Sequence, residues 1–125
     1  ISNFSWMRLL SKHAIISEDV KIGEGTVVIS GSLINTGTTI GKHCIINTKA
    51  SIDHDNTIGD FINISPTVVT GGSVKIGNNS DIGIGSTISN NIDIRHNVII
   101  GGHSFVNKDC ESNSLYFGSP IKKIK

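Results

Sequence analysis

The chain has 125 residues and a net charge of +1, from 11 basic and 10 acidic side chains. That length is one domain, and the even charge with six aromatic residues leaves no footprint for nucleic acid. No apolar run nears the ~18 residues of a membrane span, nothing reads as a secretory leader, and two cysteines make no disulfide framework, so free thiols in a cytoplasmic setting are expected.

Residues 1–12, ISNFSWMRLLSK, stand outside any periodicity and hold the only Trp and the only Met. A short segment capping the edge of the fold is the expectation for them. The chain as a whole is rich in stiff β-branched residues, 23 Ile and 8 Val, set among turn-forming Gly, Ser, Thr and Asn.

From Ile16 to Val106 a period of six runs without a break. The residues on it are Ile16, Ile22, Val28, Ile34, Ile40, Ile46, Ile52, Ile58, Ile64, Thr70, Ile76, Ile82, Ile88, Ile94, Ile100 and Val106. Fifteen of the sixteen are Ile or Val. The position two before each is mostly small or β-branched, as at Ala14, Cys44, Ala50 and Ser80. The position after often carries Gly, Asn or Asp, which reads as a turn slot. Six fits neither an α-helix nor a plain alternating strand. It fits one side made of a short strand plus a turn, three of which close a triangular coil of 18 residues. Stacked coils then place residues 18 apart on one column, about 4.8 Å from each other. The periodicity predicts a β-solenoid over 13–107 of about five coils, then a loop and an extended tail over 108–125. An antiparallel sandwich would need more irregular spacing.

In a perfect solenoid all coils are alike, so departures mark function. Thr70 is the one non-aliphatic member of the series and opens Thr70-Gly71-Gly72. Eighteen residues earlier stand Ile52-Asp53-His54. The stacking therefore sets Gly72 beside His54, with no side chain to cover the imidazole and with a backbone N–H nearby. A base next to an N–H donor suits acyl transfer. Ile52 and Asn56 serve the repeat and Asp53 fills the turn slot, which leaves His54 and Asp55 for chemistry.

The run INTKASIDHDNTIGDFINISPTVVTGGSVKIG (46–77), with its hexad frame, resembles the hexapeptide-repeat acyltransferases, and within them the sugar acetyltransferases related to sialic acid O-acetyltransferase and to UDP-amino-sugar N-acetyltransferases. The resemblance covers residues 13–125 and implies a left-handed parallel β-helix, acetyl-CoA as acyl donor, and a sugar acceptor, often nucleotide-linked. It assigns His54 as catalytic base and Asp55 as its orienter. Asn47 is placed near the acceptor, and Gly72 at the thioester carbonyl. Ile84 and Gly102 are placed along the pantetheine arm, and Lys122, in the ending FGSPIKKIK, near the coenzyme A phosphates. Lys123 and Lys125 are open between that role and a solvated tail. Asn63 stands near the donor where the family often has a second His. Ile84 and Gly102 fall on a different corner from His54, so a donor lying on one chain and reaching the base of another implies a homotrimer. The family usually adds a small N-terminal α/β domain, which these residues do not contain.

Either an amine or a hydroxyl acceptor suits a histidine base; N-acetylation of an amino sugar is the expected reaction and O-acetylation the alternative. A zinc carbonic anhydrase shares the architecture but needs three converging histidines, whereas His13, His43, His96 and His103 are scattered. A non-catalytic solenoid has no need of the break at Thr70-Gly71-Gly72.

Overall fold

The structure, a computed structural model, describes residues 4–125. Its strands are β1 (Leu9–Leu10), β2 (Ile15–Ile16), β3 (Lys21–Ile22), β4 (Val27–Val28), β5 (Leu33–Ile34), β6 (Thr39–Ile40), β7 (Ile45–Ile46), β8 (Ser51–Ile52), β9 (Thr57–Ile58), β10 (Asn63–Ile64), β11 (Val69–Thr70), β12 (Lys75–Ile76), β13 (Asp81–Ile82), β14 (Thr87–Ile88), β15 (Asp93–Ile94), β16 (Val98–Ile100), β17 (Phe105–Val106), β18 (Ser114–Phe117) and β19 (Lys122–Lys123). Every third strand joins the same sheet, which makes a three-sided parallel β-helix. The first side is β1-β4-β7-β10-β13-β16-β18-β19, the second β2-β5-β8-β11-β14-β17, the third β3-β6-β9-β12-β15. The six-stranded second side counts six turns, one more than the spacing suggests. All pairings are parallel at a register of 18, as between Ile46, Ile64 and Ile82, until β18, which pairs Tyr116 with Ile100 across a shorter link. The antiparallel strand β19 then closes that edge with exposed lysines, a common guard against further pairing.

The two inward positions of each hexad are those the sequence picks out. Ile34, Ile46, Ile52, Ile64, Ile82 and Ile94 are fully buried on one set, and Cys44, Ala50, Val68 and Val74 on the other. Side chains of one shape stack in columns, which is why so few aromatic rings are needed. Burying each Ile stabilises the fold by roughly 1.5–3 kcal/mol relative to exposure.

The turns differ from expectation in one respect. The residue with left-handed backbone is two positions later than the Gly/Asn/Asp slot: His43, Lys49, Asp55, Phe61, Thr67, Ser73 and Asn79 all have φ between 54° and 60°. Asp53 therefore does not take the left-handed place; Asp55 does. Such a conformation costs a residue other than glycine roughly 1–2 kcal/mol. It turns the N–H back onto the coil before, where Asp55 N–H donates to the Thr36 carbonyl at 2.9 Å and Ser73 N–H to the His54 carbonyl at 3.0 Å. Glycine is needed in the earlier slot for closeness instead. A Cβ on Gly23 would stand 2.6 Å from the Gly41 carbonyl, and one on Gly83 2.6 Å from the Gly102 nitrogen.

Candidate active site

His54 lies in the turn between β8 and β9, at the corner of the second and third sides, and Gly72 lies one coil on at the same corner. Asp53 prepares the turn: its Oδ1 accepts the His54 N–H at 2.7 Å and the Asn35 Nδ2 at 3.2 Å. The left-handed Asp55 brings its Oδ2 to 2.9 Å from His54 Nδ1. With Nδ1–H donated to that carboxylate, Nε2 is the free basic nitrogen. It lies over Gly72, where an added Cβ would collide with Nε2 and sit 2.5 Å from Cε1. The hydrogen bond to Asp55 raises the His54 pKa, slight desolvation opposes it, and the charges of Asp53 and Asp55 add to it. Both side chains are open to solvent, at 51% and 62%.

Thr70 explains the break in the series. Between β8 and β11 only Val69 keeps its partner, Ser51. The Asp53 N–H, which the ladder would send to a backbone carbonyl, goes to the Thr70 Oγ1 at 3.1 Å. Thr70 is itself buried. The hydroxyl thus opens the ladder between the two turns that carry His54 and Gly72.

The N–H at the Gly72 position is capped by a side chain in some turns and not in others. The Thr36, Thr48 and His54 N–H groups donate to the side chain just before them, and those of Lys42, Asp60 and Asn78 to one from the next coil. At the same position the N–H groups of Glu18, Glu24, Ser30, Gly72, Ile84, Asn90 and Gly102 have no hydrogen-bond partner among the described residues.

The sequence-chosen residues fall into two groups. His54, Asp55 and Gly72 come together. Asn47, Ile84 and Gly102 share the other corner, between the first and second sides. Asn47 caps Thr48 there, and its Oδ1 takes no part at the His54 corner. Asn63 faces outward on the first side and donates to Asp81 Oδ1 at 3.0 Å. Lys122 pairs with Phe117, whose ring covers Gly101, so it stands at the Gly102 end of that side. Lys123 is engaged by Glu111 at 3.1 Å.

The remaining polar chemistry is elsewhere. None of the other four histidines shares the His54 corner, and among the described residues no three His, Cys, Asp or Glu side chains gather to hold a metal. Cys44 and Cys110 are free and buried; burial raises both thiols, that of Cys110 to about 12, so neither is a nucleophile. No helix among the described residues is long and apolar enough to cross a membrane.

One residue at the site escapes a reading by period. Asn56 occupies an inward slot that elsewhere holds Ser, Thr, Ala, Cys, Val or Ile, and it is fully buried directly beneath the His54 turn. Its Nδ2 donates to the carbonyls of His54 at 3.1 Å and Gly71 at 3.0 Å. Its Oδ1 is buried without a partner, a defect that costs roughly 1–3 kcal/mol. The available signal was its size and polarity in a slot of small residues.

Comparison with known proteins bears on the fold and the family. No family model matches the chain. It is 30% identical over 109 residues to the UDP-3-O-acylglucosamine N-acyltransferase of Methylobacterium nodulans, covering 87% of this chain and 26% of that protein. The acetyltransferase domain of PglB from Neisseria gonorrhoeae, also solved with acetyl coenzyme A, superposes with a TM-score of 0.96 at 28% identity over 98% of this chain and 60% of that one. PerB from Caulobacter crescentus, solved with CoA and GDP-perosamine, superposes with a TM-score of 0.96 at 31% identity over 98% of this chain and 59% of that one. The chain spans about a quarter of the length of the N-acyltransferase it matches. The fold is a left-handed parallel β-helix. By sequence and by structure, the chain is similar to the β-helical part of hexapeptide-repeat acyltransferases.

Proposed function

We propose that this β-helix transfers an acetyl group from acetyl-CoA to the amino group of a nucleotide-linked amino sugar, with His54 as general base. The observation that carries the reading is the imidazole itself: Nδ1 is held by Asp55, and Nε2 is free above Gly72, whose N–H is unpaired. The acceptor amine attacks the thioester carbon while Nε2 takes its proton. The Gly72 N–H donates to the developing oxyanion. The intermediate collapses, the C–S bond breaks, and the proton passes from His54 to the coenzyme A sulfur. No acyl-enzyme forms. That PerB holds CoA and GDP-perosamine, and a PglB domain acetyl coenzyme A, supports both substrate classes.

The donor contacts assigned to Ile84, Gly102, Asn63 and Lys122, and the acceptor contact assigned to Asn47, stand away from His54 within one chain. A neighbouring copy supplies them. The second side lies between the two corners and carries outward Ile15, Leu33, Val69 and Phe105, all exposed in the single chain. The third side instead presents Lys21, Thr39, Thr57, Lys75 and Asp93. A homotrimer packed through the second sides covers those four apolar residues and sets the Ile84–Gly102 corner of one copy against the His54 corner of the next.

The test is His54→Ala, assayed with acetyl-CoA and GDP-perosamine, then with further nucleotide-linked amino sugars. Transfer is expected to vanish while assembly and acetyl-CoA binding persist. Turnover near that of the parent protein refutes the assignment. Product NMR separates an amide, as proposed, from the ester of an O-acetyltransferase.

A further inference from the structure

We propose that Asn56 is a positioning residue: its one buried amide ties the turn that carries His54 to the turn that carries Gly72 and fixes the aim of Asp55. The inference rests on the reading of His54 as base. At the equivalent inward slot Thr26, Ser32, Thr38, Ser80 and Ser86 each donate a hydroxyl to the carbonyl 15 residues on. In four turns that hydroxyl also accepts the N–H 18 residues on. Asn56 keeps the first bond, to Gly71, and lacks the second; its buried Oδ1 accepts nothing. What it has instead is a second donor bond, to the His54 carbonyl.

That bond closes a ring around Asp55. The peptide units on both sides of the left-handed Asp55 are then held, and with them the approach of its Oδ2 to His54 Nδ1. The bond to Gly71 acts where the backbone ladder is open, since Thr70 has no strand partner on β8. Asn56 thus adds, from the buried side, to the links that Asp53 N–H to Thr70 Oγ1 and Ser73 N–H to the His54 carbonyl make between the two turns. Cys44 makes the same two contacts through sulfur, at 3.5 and 3.1 Å, but a thiol is a weak donor. A buried, half-satisfied amide in a slot where a hydroxyl is the stable solution marks a site kept for something other than stability.

Asn56→Thr tests this, because threonine is a native occupant of the slot at positions 26 and 38. It can restore the hydroxyl pattern but has no second donor for the His54 carbonyl. The first readout is the NMR titration of the His54 imidazole in the intact protein without substrate. A downward shift toward the ordinary histidine value is expected, with the thermal midpoint equal to or above that of the parent. The second is acetyl transfer to GDP-perosamine: kcat falls roughly tenfold and KM for acetyl-CoA stays within about twofold. Asn56→Ser carries the same expectation should the threonine variant fold poorly. An unmoved titration with unchanged kcat overturns the inference. His54→Ala run alongside separates the failures: an active His54→Ala variant removes the functional reading, whereas an inactive one beside a fully active Asn56→Thr removes only the role of Asn56.

Discussion

Replacing Gly72 by Ala reaches the site without touching either titrating group. The new Cβ would lie 2.5 Å from His54 Cε1 and closer still to Nε2. Unstrained carbon contacts sit near 3.5–4.0 Å, so the ring must retreat by about 1 Å or more. The ring is half exposed and has room to swing outward, so the fold should tolerate the change. The swing pulls Nδ1 from Asp55 and carries Nε2 off the path of the acceptor proton. A misplacement of about 1 Å lowers an aligned reaction by roughly 10²-fold, or about 2.7 kcal/mol in the barrier. The expected result is a hundredfold loss of kcat in acetyl transfer from acetyl-CoA to a nucleotide-linked amino sugar, at unchanged thermal midpoint. A variant with parent-like kcat would mean that the stacked imidazole is not the reacting group.

Two further changes probe the charge relay and the assembly. Asp55→Asn keeps an acceptor but removes the carboxylate whose charged hydrogen bond raises the His54 pKa, so the rising limb of the pH–rate profile should move to lower pH and kcat should fall as basicity is lost. The same contact favours the folded state fully below the unfolded histidine value near 6.5 and fades as pH rises through the raised folded value; Asp55→Asn should flatten that dependence in thermal melts across pH 5–9. Phe105→Glu puts a charge on the outward second side, and sedimentation should show monomers that keep their β-sheet circular dichroism but do not transfer acetyl groups; an intact, active trimer would place the interface elsewhere.

Much of this molecule is visible in its sequence because one spacing governs it. The column of Ile from 16 to 100 defines the inward face, and the 18-residue coil alone places His54 beside Gly72, as found. Other features hide because one residue type answers two demands. Gly23 and Gly83 look like turn formers, yet they are small because the next coil presses on them, while His43, Phe61 and Thr67 take the left-handed place that glycine seems made for. Thr70 shows as an exception, but not that its hydroxyl replaces a ladder bond. Asn56 shows only as an occupant of the inward slot, because a period locates a slot and is silent on which atoms its occupant reaches.

The stacking register also governs how such a chain can change length. A whole coil added before Asn35 or after Val106 leaves every inward column intact and leaves His54 on Gly72. The same coil added between His54 and Gly72 also keeps the fold, but puts two strand spacings, roughly 9.6 Å, where one had been. Length variation here is quantised in coils, and only an insertion inside one short window separates a folded protein from a working one.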